Sequence, residues 1–441
     1  MSADAAADPE RYLATYHWRY DPDTLREIVD NTAELRVLRE SLSSRIEGFT
    51  DNTVRARLLG IRAVTSRLLG DLRLALADGR MALAHAEASG SLRRVALAQA
   101  RLAHIHQWRG EYAEADRLYA LANSDELPAP LRASLHHHAG RSAYEQHRYM
   151  EACHHFDRAL ELRKGTDPEL VGAIDMALDA VARGVAERGW GAFPRGRDEI
   201  LQVKPLPLPD FDGETGLWGY ANAGGDILIP AAYADVEPFA EGLAWVRRPD
   251  ADTWEAIDLA GKTVIKADAG FRNTSMFSDG LAWVSGHGTG GWVAVDRDAT
   301  VRIKTGYDDV RPFRRGVAAV RRDDRWGAVD ASGRVVLSLR YDGFATALAD
   351  GRYVDGFTDE GLAVVNKAGG KGVVDRNGRI IVEPAHPNLV IHPVAYLISS
   401  RQGLWGALDR AGRPLIDPVY SGRNTVVAEL DRLLADTRPT L

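Results

Sequence analysis

The chain writes one phrase several times over. DRWGAVDASGR (324–334) returns seventy-nine positions later as GLWGALDRAGR (403–413). The anchors are Trp218, Trp254, Trp292, Trp326 and Trp405, with Lys371 at the equivalent place, and they are spaced by 36, 38, 34, 45 and 34 residues. Four positions after each anchor stands Asn222, Asp258, Asp296, Asp330, Asp375 or Asp409; three further on stands Gly225, Gly261, Ala299, Gly333, Gly378 or Gly412. Repetition at this interval limits the fold more than any other feature. Each copy must be a small supersecondary unit that buries its faces against its neighbours.

The chemistry of one copy is local. In RWGAVD (325–330) alternate residues face opposite sides of a strand. Asp330-Ala331-Ser332-Gly333 then makes a tight turn, because Asp accepts from backbone N–H groups a few residues on and Gly takes the left-handed position. Arg334-Val335-Val336-Leu337 runs back. Two further phrases recur around it: FAEGLAWV (239–246), FSDGLAWV (277–284), FRRGVAAV (313–320) and FTDEGLAVV (357–365) before the anchor, and IPAAYADV (229–236), KTGYDDV (304–310), LRYDGF (339–344) and IDPVY (416–420) after it. One unit is thus three or four short strands in about 36 residues. The recurring acids are turn formers here, not a catalytic constellation, since equivalent turns do not converge on one substrate.

These phrases are similar to the bacterial WG-repeat family, named for Trp-Gly followed by an Asp-x-x-Gly turn. Trp-Gly proper stands at 218–219, 326–327 and 405–406. The resemblance covers residues 217–422 and implies architecture more than activity: six copies, expected as a six-bladed propeller-like ring, with an open β-solenoid as the alternative. The segment ILQVKPL (200–206), or the end of the last copy, would supply the strand that the first copy lacks. An insertion near 345–356 and the irregular AHPNLVIHPVAYL (385–397) are expected to form binding loops.

Before residue 197 the pattern is helical. Residues 23–49 place Leu25, Ile28, Val29, Leu35, Leu38 and Leu42 at spacings of three and four, which predicts a helix begun by Pro22-Asp23. A second period lies between 109 and 162: Tyr112 matches Tyr149, Ala115 matches Ala152, Tyr119 matches Phe156, and Ala122 matches Ala159, all shifted by 37. Leu72, Ala75 and Ala82 form an earlier, weaker copy. Small residues at fixed places let two helices approach closely.

This half resembles the tetratricopeptide repeat, a helix–turn–helix unit, with Gly140, Ala152, Phe156 and Ala159 at the family's spacing and Ala103 and Ala63 in place of its usual glycine. The resemblance implies an N-terminal α-solenoid: helices over 1–52, repeats over 53–196 ending in a capping helix at 168–188, and a linker or edge strand over 197–216. It also implies a concave groove for a peptide or protein partner. By offset, that groove presents Arg67, His104, Gln107, Trp108, His137, Arg141 and Tyr144. The tail, 423–441, is expected to hold a helix with Val426, Leu430, Leu433 and Leu434 on one face, docked on this chain.

Composition excludes several classes. A net charge of −7 argues against a nucleic-acid binder. One cysteine, Cys153, allows no internal disulfide and fits a reducing compartment. The first residues, MSADAAADPERYLATYHWRYD, lack the basic and apolar regions of a secretion signal, and no apolar run is long enough to span a membrane, so a cytoplasmic location is expected. His136, His137 and His138 point about 100° apart on a helix and cannot share one ion, so no metal is expected. GHGTGG (286–291) lacks the Gly-Lys-Ser/Thr of a phosphate loop, no Gly-x-Ser-x-Gly occurs, and Cys153 reads as packing, so no cofactor and no catalytic residue are expected. Trp245 and Trp283 are expected in the core, the alternative being an exposed aromatic pair for a sugar or peptide. The pairs Arg247-Arg248, Arg314-Arg315 and Arg321-Arg322 form either a solvated rim or a patch for an acidic partner. The expected function is a non-enzymatic adaptor that binds partners through the helical groove and the β surface, the alternative being a small-molecule or glycan sensor using a β-domain pocket.

Overall fold

A computed structural model describes residues 9–14, 16, 18–163, 167–286, 288 and 290–433. The chain divides into two compact halves, one of residues 1–203 with 430–441 and one of residues 204–429.

The first half is helical: α1 (Pro9–Ala14), α2 (Thr32–Glu47), α3 (Asn52–Leu68), α4 (Leu72–Ser89), α5 (Leu92–Trp108), α6 (Tyr112–Ala122), α7 (Ala129–Glu145), α8 (Tyr149–Arg163), α9 (Pro168–Arg188) and the short α10 (Arg197–Ile200). Caps set the starts, since the side chains of Asn31, Asp51, Asp71 and Asp167 each accept from a backbone N–H in the first turn of α2, α3, α4 and α9. Consecutive helices pack as pairs, α3 on α4, α5 on α6 and α7 on α8. Small residues bring each pair together: Ala75, Ala103, Ala115, Ala152 and Ala159 are completely buried. A Cβ on Gly140 would stand only 2.5 Å from the ring of Phe156.

The helix expected over 23–49 is a correction. It begins at Thr32, and residues 19–28 form a two-stranded hairpin, β1 (Arg19–Tyr20) on β2 (Glu27–Ile28). Asp21 accepts the backbone N–H groups of Asp23 and Thr24, which turns the chain, and Leu25 takes a left-handed φ of 56°. The apolar spacing that mimics a helix arises because Leu25 packs with α8 and α9 while Leu35, Leu38 and Leu42 pack with α3.

The second half is antiparallel β throughout its six repeats. The first sheet has three strands (Leu208–Asp212, Leu217–Ala221, Ile227–Tyr233), and five four-stranded sheets follow in chain order, spanning 235–265, 271–307, 309–341, 343–386 and 389–420. The added strand of the first sheet lies at Leu208–Asp212, after the segment 200–206 that was expected to provide one. The insertion near 345–356 forms a ribbon of Thr346–Ala347 on Tyr353–Val354.

Both faces of the interior sheets are covered. Trp326 and Ala328 pack with Phe357, Val365 and Val374 of the fifth repeat, whereas Val329 packs with Trp283 and Ile303 of the third. That is why the strands read as unbroken apolar runs such as LAWV. Separate cores join repeats one to two, two to three, and so on to five and six. At the interior junctions the turn glycine touches the repeat before it. A Cβ on Gly378 would lie 1.8 Å from the carbonyl oxygen of Val336, and one on Gly412 2.3 Å from that of Ile381. The turn glycine of the first repeat, Gly225, has nothing within 4 Å. Ile416 and Tyr420 of the last repeat stay half-buried, where their counterparts Leu337 and Tyr341 are buried.

After the sixth sheet comes α11 (Arg423–Leu433), which buries Val426 and Leu430 and leaves Leu433 exposed. Leu434 and the tail beyond it lie outside the described residues, as do residues 287 and 289 of the Gly-rich loop and the first eight residues. No helix of the described residues is long and apolar enough to cross a membrane.

Candidate functional site

The helical groove assembles from three helices. α3 contributes Arg67; α5 contributes His104, Gln107 and Trp108; α7 contributes His137, His138, Arg141 and Tyr144. Spacings of three and four along α5 and α7 align these side chains as one stripe per helix. All seven residues expected from sequence stand here, but they do not face open solvent. Arg67, His104, Gln107, His137 and Arg141 are buried, and Trp108 and Tyr144 are half-buried.

What covers them is the chain's own hairpin. Arg67 Nη1 donates to Glu27 Oε2 at 3.0 Å, and Arg141 Nη1 donates to Glu27 Oε1 at 2.9 Å. His104 Nε2 lies 3.7 Å from the same carboxylate. The guanidinium of Arg67 sits over the ring of Trp108 at 4.8 Å, and that of Arg141 over Tyr20 at 5.0 Å. Arg26 pairs with Glu145 at 2.5 Å and donates to the carbonyls of Gln107 and Trp108. A cation there also suits the C-terminal end of α5. Tyr144 donates to the carbonyl of Asp23 at 2.9 Å, Arg183 donates to that of Pro22 at 2.8 Å, and Leu25 packs with Tyr149 and Ala177.

The electrostatics follow from burial. Desolvation would push the Glu27 carboxyl up, but Arg141, Arg67 and His104 outweigh it and hold the group well below the usual carboxylate range. Burial, with Arg141 beside it, holds His137 neutral down to about 3. His138 is driven down by burial, His104 and Arg141. Removing Glu27 would take from the buried Arg141 guanidinium the carboxylate it donates to.

Glu27, His104 and His138 bring ligand atoms within 4.8 Å of one another. The donor set does not suit a cation, because two guanidinium groups already hold the carboxylate and would oppose a further positive charge.

Sequence reasoning missed Glu27 because it assigned residues 23–49 to one helix. The signal was the groove itself. Two arginines among three histidines with no acid require a carboxylate from somewhere.

A cavity of about 210 Å³ opens on the other side of α7, lined by Tyr119, His136, His155, Arg195 and their neighbours. Arg195 is tied there to Asp116 and Glu151 at 2.8 Å each, and His136 and His155 face each other at 3.0 Å between Nδ1 atoms.

In the β half the recurring acids are turn formers. Oδ1 of Asp330 accepts from the N–H groups of Ser332 and Arg334, and Asp258, Asp296, Asp375 and Asp409 do the same two and four residues on. Trp245 and Trp283 are core, stacked on Phe277 and Phe313 with their Nε1–H groups donating to the carbonyls of Ser275 and Arg311. The arginine pairs meet local acids: Arg248 meets Glu255, Arg314 meets Asp359, and Arg321 meets Asp324. Burial and Asp157 push the Cys153 thiol up, away from a reactive thiolate.

The family model described as WG containing repeat matches residues 218–248, 294–326 and 326–371. The C-terminal half carries WG repeats. No curated protein matches the sequence significantly. Among solved structures, Kluyveromyces lactis Hsv2 is similar at 8% identity, covering 47% of this chain and 69% of its own, with a TM-score of 0.29. The WD40 β-propeller domain of Doa1 shows 13% identity over 46% of this chain and 74% of its own, with a TM-score of 0.21. The extracellular domain of the putative hybrid two component system BT3049 from B. thetaiotaomicron shows 9% identity over 51% of this chain and 37% of its own, also with a TM-score of 0.21. At TM-scores this low, the arrangement of the WG repeats rests on this chain's own contacts.

Proposed function

We propose that this chain is a non-enzymatic interaction protein. On this reading the helical half is a tetratricopeptide-type array whose groove takes a segment of a protein partner, and the WG repeats present a second surface. One observation carries it: Arg67, His104, Gln107, Trp108, Arg141 and Tyr144 converge on a short stretch of non-helical polypeptide, residues 20–28. A groove that grips backbone carbonyls and one carboxylate is suited to peptide, not to duplex nucleic acid or a membrane surface. A single cysteine and a mild negative charge accord with a cytoplasmic setting. For the WG repeats, the unmatched Gly225 and the half-buried Ile416 and Tyr420 favour an open stack over a closed ring.

The test is photo-crosslinking from within the groove. Trp108 or Tyr144 is replaced, in the full chain and in its native cell, by a photoreactive phenylalanine derivative. Adducts to a segment of another protein are expected. Adducts confined to residues 18–28 of the same chain would remove the groove from the adaptor reading. The small-molecule alternative has two candidate places, the cavity beside His136 and His155 and a more open one of about 560 Å³ in the β half lined by Arg315, Asp330 and Arg334. Heat stabilisation of the purified chain by a metabolite, lost on changing Tyr119, would favour it.

A further inference from the structure

The hairpin at 19–28 sits in the groove as a ligand would. It pairs Arg19 with Ile28 and Tyr20 with Glu27, and the Asp21 N–H donates to the carbonyl of Arg26 at 2.8 Å; a two-stranded ribbon this short depends for its place on what the groove offers. The groove offers mainly donors. Beyond the two nitrogens that hold Glu27, Arg141 Nε and Nη2 and Trp108 Nε1 are buried without a hydrogen-bond partner among the described residues. Arg141 is 1% exposed. Buried donors left over in a site already holding one carboxylate mark room for a ligand richer in acceptors than the hairpin.

We propose that residues 18–28 are a built-in competitor for this groove, and that the partner displacing them is an acidic peptide segment that sets a carboxylate on Arg67 and Arg141. The proposal rests on the reading of the groove as a partner site and adds the partner's chemistry and its regulation. Glu27 stands in for the partner's acid. Arg26, through Glu145 and the end of α5, is the latch that keeps the competitor in place. Opening the groove exchanges one carboxylate for another, so the buried guanidinium groups never lose their counter-charge for long. A neutral or basic segment does not satisfy that exchange.

The test uses the full chain and a fluorescent peptide with the sequence of residues 18–30, WRYDPDTLREIVD, beside a control with Gln in place of its only Glu. Two variants loosen the competitor: Arg26→Ala, which leaves the buried cluster intact, and Glu27→Gln. Hydrogen exchange reports whether residues 19–28 are released while α5 stays protected. In a folded variant with the segment released, the peptide is expected to bind about ten-fold or more tightly than to wild type, and the Gln control to lose most of that gain. Release without a gain in peptide binding overturns the proposal, as does equal binding of the control. Persistent protection of 19–28 in both variants overturns it too, since the segment would then be a fixed part of the fold. So would failure of both variants to fold. Crosslinks confined to the chain itself would sink the adaptor reading while leaving this competition in trans measurable on its own.

Discussion

At the scale of single residues, burial decides which groups hold shape and which respond to solution. Glu237 is the clearest case in the β half. Burial, reinforced by Asp235 and only partly offset by a hydrogen bond from Thr274, pushes its carboxyl up to about 7. Its Oε2 is buried without a hydrogen-bond partner. The folded state therefore keeps a proton that the unfolded chain releases near its ordinary value of 4.5. That contribution is full below the ordinary value and is lost as pH rises through about 7. Glu237→Gln is expected to stabilise the β half by about 1–2 kcal/mol near pH 8, with solvent screening allowed for, and to gain little near pH 4. Chemical denaturation at the two pH values measures it. Nothing in the sequence singled out Glu237, because its counterparts in other repeats are Ser275, Arg311 and Ala345, which share its strand hydrogen bond to the next strand but not its charge. The turn acids, by contrast, were legible residue by residue, since an Asp-x-x-Gly turn is satisfied within five residues and needs no tertiary partner.

At the scale of elements, the junction between repeats is where the fold is least forgiving. Gly378 and Gly225 both have positive φ, 81° and 87°, so an Ala at either incurs the same backbone penalty. Only Gly378 also faces the carbonyl of Val336. Gly378→Ala is expected to lower stability by about 1–3 kcal/mol more than Gly225→Ala, the excess reporting overpacking between repeats four and five. Comparative thermal melts of the two variants test it, and equal losses would mean that the junction is loose. The strands of each repeat were readable because their alternation and turn chemistry recur. The hairpin at 19–28 was not. Its apolar residues fall at helical spacing by coincidence of two separate cores, and only the Asp21 turn and the Asn31 cap, each a single side chain, separate it from α2. Whether the WG repeats close on themselves was illegible for a further reason: it depends on contacts between the first and last copies, which no local pattern encodes.

At the scale of the whole molecule, the two halves should answer acid differently. Burial holds His136 and His137 neutral to about 3, and His155 to about 4. The unfolded chain takes up those protons near 6.5, so the stability they contribute is present above that value and lost as pH falls toward 3 to 4. Glu27, depressed by its arginines once its burial is overcome, adds a loss of the same sign below its ordinary value. The helical half is expected to lose at least about 1.4 kcal/mol per pH unit across this window, His136 and His155 taking up protons as one hydrogen-bonded pair. Helical circular dichroism melts between about pH 7 and about pH 4.5 check this. A helical melt that does not move would show that these rings are reached by solvent.

The hairpin that carries Glu27 reaches α2 through only Val29, Asp30 and Asn31. A segment on so short a tether meets its site at an effective concentration on the order of millimolar. An outside peptide of equal intrinsic strength arrives far more dilute and loses the contest. On the proposed reading, a successful rival must either bind the groove more tightly than the hairpin does, by filling the donors it leaves unused, or present several copies of itself at once.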